Sequence, residues 1–293
     1  MNPKKNRNEE HRKECLEMDE TILKLLLDLH LPADRQGPGS DAMTRKAIDM
    51  AGLADELGDA NRPLQVADIG CGTGASAFVL AEALGAEVTA VDFLPDFLAE
   101  LERRAASRGL SDRIRTLEAS MEDLPFKEEQ FDVIWSEGAV YNMGFEAGVR
   151  AWKRFLKPGG WMVLSEITWL TAARPAELDE HWMAEYPEIG TASEKFRVLE
   201  ECGFSPVGYA VLPEDCWTDH YYGPMRERFD GFLGQYDAGA GSESASGSGI
   251  ASDSDSDLWA MAEEIVESER KEMELYERYK AYVSYGMYVA RKV

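Results

Sequence analysis

The residues best placed to do chemistry concentrate between Val66 and Ser76. An apolar run ends at Ile69, turns through Gly70, Gly72 and Gly74, and opens a helical pattern at Ala75. Glycines allow a tight turn there and a close backbone approach by a ligand. The helix start adds unpaired N–H groups and a positive dipole end that suit an anionic group. Asp68, two residues before the first glycine, is placed to meet an ammonium group directly or through water. Asp92, at the end of the next strand-like run, is placed to accept hydrogen bonds from both hydroxyls of a ribose. The loop therefore reads as a nucleoside site. Gly70-x-Gly72-x-x-Ala75 also fits a dinucleotide fingerprint, so a nicotinamide-dependent oxidoreductase stays open on these residues alone.

A second group of candidates follows later strand-like runs, where active sites of open α/β sheets lie. Glu137, Tyr141 and Asn142 follow one such run, and Glu166 ends the next. Beyond these come two aromatic and polar clusters, His181 to Pro187 with Trp182 and Tyr186, and Cys216 to Tyr222 with Trp217, His220 and Tyr221. Such clusters suit a half-apolar pocket around a small substrate. Tyr141 and His220 are candidates to move a proton, and Glu137 either does the same or shapes the donor site. Asn142, Glu166, Trp182, Tyr186, Trp217 and Tyr221 are candidates to contact the substrate. Trp182, Tyr186 and Trp217 read somewhat better as packing residues of the lid.

These residues need elements to hold them. Short apolar runs over Gln65–Ile69, Glu87–Val91, Ile114–Glu118, Phe131–Ser136, Gly160–Glu166, Ser205–Leu212 and Val283–Arg291 alternate with amphipathic patterns near 75–84, 94–108, 145–156, 192–202, 224–235 and 257–281. That alternation predicts an α/β fold: a doubly wound, mostly parallel seven-stranded sheet with helices on both faces. Before it, Ile22, Leu25, Leu26 and Leu29 recur at helical spacing. Gln36 to Ser40 breaks that helix, and Ser40 or Asp41 caps a second one. Residues 1–60 thus form a helical lid and 61–293 the ligand-binding domain. Residues 237–257 are almost only Gly, Ala, Ser and Asp, too polar to offset the entropy of ordering them, and read as a flexible insertion.

Composition narrows the function. With 44% apolar residues in 293, the chain can bury a sizeable core. No run approaches the roughly 20 apolar residues that cross a bilayer, and the N-terminus lacks the apolar stretch of a secretory signal. Acidic residues outnumber basic ones 55 to 31, for a net charge of −24, which repels polyanions. Nucleic acid and anionic membrane are poor partners, and a homodimer is allowed. The four cysteines show no metal or disulfide spacing, so no metal is expected and the cytoplasm is the expected location.

Three further segments recur in a known order. Ala119 to Phe126 ends in Leu-Pro-Phe, Phe131 to Glu137 reads as a fourth strand, and Leu156-Lys-Pro-Gly-Gly160 as the turn into a fifth. With the Asp68-x-Gly70-x-Gly72-x-Gly74 loop and Asp92, they resemble the class I S-adenosylmethionine (SAM)-dependent methyltransferases. The nearest likeness is to small-molecule enzymes of the ubiquinone and menaquinone type, over about residues 60 to 170. The resemblance implies SAM as cofactor and a small-molecule methyl acceptor. It places Gly70, Cys71, Gly72 and Gly74 along the methionine and ribose, Asp68 near the amino group, Asp92 on the ribose diol and Phe93 on the adenine. Ser136 to Gly138, Glu137 among them, face the methionine and the reactive methyl. Where the family often holds the adenine with an Asp before a small residue, this chain has Ser120 and Met121, a departure that leaves the base edge to backbone groups. A SAM-binding regulator without turnover is the alternative that shares all these residues.

Overall fold

The computed structural model describes residues 20–54, 62–237 and 253–293. The start of the predicted N-terminal helix and most of the Gly/Ser/Asp insertion lie outside the described residues. The helix after that insertion begins at Asp253, earlier than expected at 257, because apolar periodicity starts only at Leu258.

The chain forms two compact units. In the smaller one, the described residues up to Ala33 group with Pro224–Glu274. Its core includes Leu25, Leu29, Phe229, Phe232, Ala262 and Val266, with Arg228 Nε donating to the Leu29 carbonyl at 3.1 Å. The larger unit is Asp34–Gly223 with Leu275–Val293. The division thus runs at Ala33, where the sequence suggested residue 60. The helix Asp41–Ala51 belongs to the larger unit because Met43, Ala47 and Ile48 are buried in it. Ser40, one of the two expected caps, accepts the Met43 N–H at 3.3 Å.

The larger unit is built on a sheet of order β3-β2-β1-β4-β5-β8-β7. Its strands are β1 (Gln65–Ile69), β2 (Glu87–Asp92), β3 (Ile114–Glu118), β4 (Phe131–Glu137), β5 (Leu156–Trp169), β7 (Phe204–Val211) and β8 (Val283–Lys292). All seven expected strands are present. The two-residue β6 (Gly190–Thr191), which pairs with the end of β5, makes eight. Strands β1 to β5 run parallel, whereas β8 is antiparallel to both β5 and β7. Val66 to Ile69 are all buried, as expected of a parallel strand covered on both faces. β5 is longer than predicted because Leu156 pairs with Phe131 of β4 at its start and β8 stays paired with it as far as Trp169 at its end. The Lys157-Pro-Gly-Gly160 segment is a register shift at the start of that strand. Strand order reverses between β1 and β4, and the carboxyl ends of β1, β2 and β4 therefore open on one crevice. No helix among the described residues is long and apolar enough to cross a membrane.

Candidate functional site

That crevice holds a cavity of about 570 Å³. Its floor is the glycine loop. Gly70 lies at φ +73°, and a Cβ there would stand 2.3 Å from the Ala139 Cβ, so only glycine lets this turn meet the loop after β4. The Gly70 and Cys71 N–H groups both donate to the Val91 carbonyl, at 2.8 and 3.0 Å, and tie the loop to β2. Gly74 has a different reason. It caps the helix Ala75–Leu84 at φ +96°, and a Cβ on it would stand 2.6 Å from Leu101. It does not line the cavity, so its expected cofactor role becomes one of helix packing.

Asp92 ends β2 at the cavity wall. Its carboxylate accepts the Gly72 N–H at 2.8 Å and the Leu94 N–H at 3.0 Å. Burial pushes its pKa up, against these backbone amides. Asp68 lies below the floor, 0% exposed. One oxygen accepts the Ser76 hydroxyl at 2.7 Å, and the other has no partner among the described residues. Burial is the main reason its pKa rises to about 7, with Glu137 adding to the effect and Ser76 opposing it. The Ser136 hydroxyl is likewise buried without a partner among the described residues. Cys71 lines the cavity with its thiol pushed well up, by burial first and then by Asp68.

Phe93, Leu94, Phe97 and Ala119 to Glu122 form the side beyond Asp92. Phe93 is 63% exposed, a ring face open to a ligand. The Met121 carbonyl already accepts the Trp152 indole N–H at 3.0 Å, and the Ser120 hydroxyl accepts the Glu122 N–H at 3.3 Å. The opposite side consists of Glu137 to Ala139, Tyr141 and Asn142. The Asn142 side chain donates to the Ala139 carbonyl at 3.0 Å, and Tyr141 stands edge-to-face on Tyr186 with ring centroids 6.0 Å apart.

Glu137 does not have the surroundings of a free base. Its Oε1 accepts the Trp135 indole N–H at 2.9 Å and the Thr44 hydroxyl at 2.7 Å, and its Oε2 pairs with Arg35 at 2.8 Å. In the sequence the stretch around Arg35 reads only as the end of a helix and its break, with no site role for Arg35 or Gln36. Arg35, Gln36, Gly37 and Pro38 form a further wall of the cavity. The Gln36 side chain accepts the Thr73 N–H and donates to the Thr73 hydroxyl, both at 3.0 Å. The one signal for this segment was its composition, a polar pair set against the Gly-Pro-Gly break.

The remaining expected residues lie elsewhere. Trp217 is a core residue, 1% exposed, stacked on Tyr276 at 4.3 Å and donating to the Ser284 hydroxyl at 2.9 Å. An aromatic residue after a strand gives no sign of which way it packs. His220 and Tyr221 sit in the wide turn Thr218–Tyr222, with His220 exposed, and neither lines the cavity. Trp182 lies on the helix Ala176–Glu185 against His181 and is also outside it. Glu166, 0% exposed, is ion-paired with Lys195 at 3.3 Å and so is not a substrate group on the cavity surface. Lys195 lies over the rings of Phe145 and Tyr186, at 4.7 and 5.3 Å. Burial pushes Glu166 up and Lys195 down, and their mutual attraction opposes both shifts. Tyr186 joins this buried cluster and reaches the cavity only through Tyr141.

Residues 66–160 match a family described as a methyltransferase domain. The chain is 31% identical over 152 residues to the uncharacterized methyltransferase YodH of Bacillus subtilis, covering 51% of this chain and 64% of that protein. It is 38% identical over 125 residues to the demethylmenaquinone methyltransferase of Thermus thermophilus, covering 42% and 53%. It thus spans less than two thirds of the length of either relative. A SAM-dependent methyltransferase from Geobacter sulfurreducens, solved in complex with S-adenosyl-L-homocysteine, shares the fold with a TM-score of 0.69 at 15% identity, over 92% of this chain and 98% of that one.

Proposed function

We propose, for a chain whose residues 66–160 match a family described as a methyltransferase domain, that it transfers a methyl group from SAM to a small molecule by in-line attack. The observation that carries this reading is the tie between Asp92 and the Gly72 N–H at 2.8 Å, on the wall of a 570 Å³ cavity. It puts a carboxylate at the strand end beside a glycine loop, as recognition of a ribose next to a backbone cradle requires.

The residues present fit SAM. Asp68 and Ser136 do not themselves line the cavity, but each buries an oxygen without a partner among the described residues beneath it, suited to the amino end of a ligand. Asp92 would hold the ribose diol, and Phe93 with Met121 would flank the adenine. SAM brings a sulfonium whose methyl is already an activated electrophile. The chain's task is then alignment. Holding a nucleophile about 3–3.5 Å from the reacting carbon can supply about 7–11 kcal/mol of a barrier. Tyr141 and Asn142 are the polar side chains we assign to orient the acceptor, with Tyr186 supporting Tyr141 from behind. Glu137 is not assigned as base, because three donors already occupy it. Its place at the methionine end is kept.

The acidic balance and the buried free thiols of Cys71, Cys202 and Cys216 support a cytoplasmic enzyme that does not act on nucleic acid. The test is turnover. Purified protein incubated with SAM and fractionated small metabolites is expected to release S-adenosylhomocysteine with at least one fraction. SAM binding with no release from any fraction would favour a regulator without turnover.

A further inference from the structure

The segment 34–40 is pinned at three places, one of them the Gly39 N–H, which donates to the Cys216 carbonyl at 3.4 Å. At the glycine loop, Gln36 makes two bonds to Thr73 at 3.0 Å, and the Thr73 hydroxyl also donates to the Asp34 carbonyl at 3.3 Å. Arg104 reinforces this end, reaching Asp34 and Thr73 at 3.2 Å. At the end of β4, Arg35 pairs with Glu137, and its other nitrogen meets Asp41 at 3.0 Å and Thr44 at 3.3 Å. The Arg35 and Glu137 side chains are only 10% and 9% exposed. A charge pair this sheltered, with its remaining oxygen satisfied by Trp135 and Thr44, is screened little by salt. Between Gln36 and Ser40 lie Gly37, Pro38 and Gly39, which carry no side-chain hydrogen-bonding groups of their own.

The segment therefore bridges the point where strand order reverses, from the loop after β1 to the end of β4, and forms part of the cavity wall. Burial lowers the pKa of Arg35, but Glu137 and Asp41 more than reverse this, so the guanidinium stays charged and the pair closed.

We propose that Glu137 is a positioning residue that latches residues 34–40, through Arg35 and Thr44, as a strap across the cavity, and that release of this latch sets the rate at which the nucleoside ligand leaves. The second half rests on the SAM reading above. The latch itself does not.

The test is hydrogen exchange of the full ligand-free chain read by mass spectrometry, with S-adenosylhomocysteine dissociation measured by stopped flow. In Glu137→Gln, amides of residues 35–40 are expected to exchange at least tenfold faster while those of β1 and β2 keep wild-type protection. S-adenosylhomocysteine is expected to leave at least tenfold faster. Thr44→Val, which removes the Thr44 hydroxyl's bonds to Glu137 and to Arg35 and keeps the ion pair, is expected to move both quantities the same way by less, and serves if Glu137→Gln fails to fold. Unchanged strap exchange in a folded variant overturns the latch. Faster strap exchange with an unchanged dissociation rate overturns its role in ligand release. If the wild-type chain binds no S-adenosylhomocysteine, the cofactor reading falls, and the exchange arm still decides the latch.

Discussion

Replacing Lys195 with Met tests the buried cluster behind Tyr141. Lys195 is 4% exposed and Glu166 0%, with 3.3 Å between Nζ and Oε1. At an effective dielectric of about 20, that separation is worth about 5 kcal/mol of attraction. Removing one partner of a buried pair leaves the other charge uncompensated, at a cost of about 3–5 kcal/mol. Methionine keeps much of the apolar stem against Phe145 and Tyr186, so packing adds little. The lost Lys195 bond to the Glu188 carbonyl, 3.0 Å long, adds about 1 kcal/mol. The expected destabilisation near pH 8 is therefore about 4–6 kcal/mol, read as a fall in urea midpoint at unchanged slope. The deficit should shrink as pH falls. Glu166 already has a raised pKa in the folded chain, and loss of Lys195 raises it further. Such a carboxyl binds protons more tightly folded than unfolded, so it contributes stability below its ordinary range and loses it as pH rises. Adding Glu166→Gln removes the orphaned charge and is expected to bring the double variant within about 1–2 kcal/mol of wild type. A single-variant cost below about 1 kcal/mol at pH 8, or a cost independent of pH, would refute the assignment of a charged buried pair.

Other outcomes follow from the glycine loop and its floor. Asp68, with a pKa of about 7 in the folded chain against an ordinary 3.8, contributes stability below pH 4 that is lost as pH rises through 7. The loss is at most about 4 kcal/mol. Asp68→Asn is expected to gain on wild type between pH 4 and pH 8 in thermal melts, and parallel curves would show that Asp68 titrates normally. Gly70→Ala must hold alanine at φ +73° and push Cβ against Ala139, at 2.3 Å. Strain of about 1–2 kcal/mol and overpacking of about 1–3 kcal/mol give a loss of about 2–5 kcal/mol in urea denaturation, and a loss below about 1 kcal/mol would mean the two loops are not in register.

Much of this arrangement was legible in the residues because it is local. The seven principal strands read as short runs rich in apolar residues, some of them closed by Gly or Asp, as β1 is by Gly70, β2 by Asp92 and β4 by Gly138. Asp92 was readable because a strand end fixes where its last side chain goes. What escaped was set by contacts between segments far apart in the chain. Glu137 looked like a base from its position after β4. Nothing near it announced that Arg35, 102 positions away, and Thr44 would consume its oxygens. Lys195 sits in a helix pattern where lysine normally faces water, and its burial follows from Glu166, itself inside β5. Trp217 and His220 are three positions apart in an aromatic cluster, yet one is in the core and the other in solvent, because the wide turn Thr218–Tyr222 separates their directions. Gly74 matched the cofactor motif as well as Gly70 did, but its neighbour is Leu101 and not the cavity.

The central claim is that Asp92 and the glycine loop form the nucleoside half of a SAM site, and calorimetry on the wild-type chain and Asp92→Ala tests it most directly. S-adenosylhomocysteine is expected to bind the wild-type chain, and a folded Asp92→Ala to bind it about 1.5–3 kcal/mol more weakly, the worth of a charge-assisted hydrogen bond. An unchanged dissociation constant in the variant, or tight binding of NADH with none of SAM or S-adenosylhomocysteine, would contradict it.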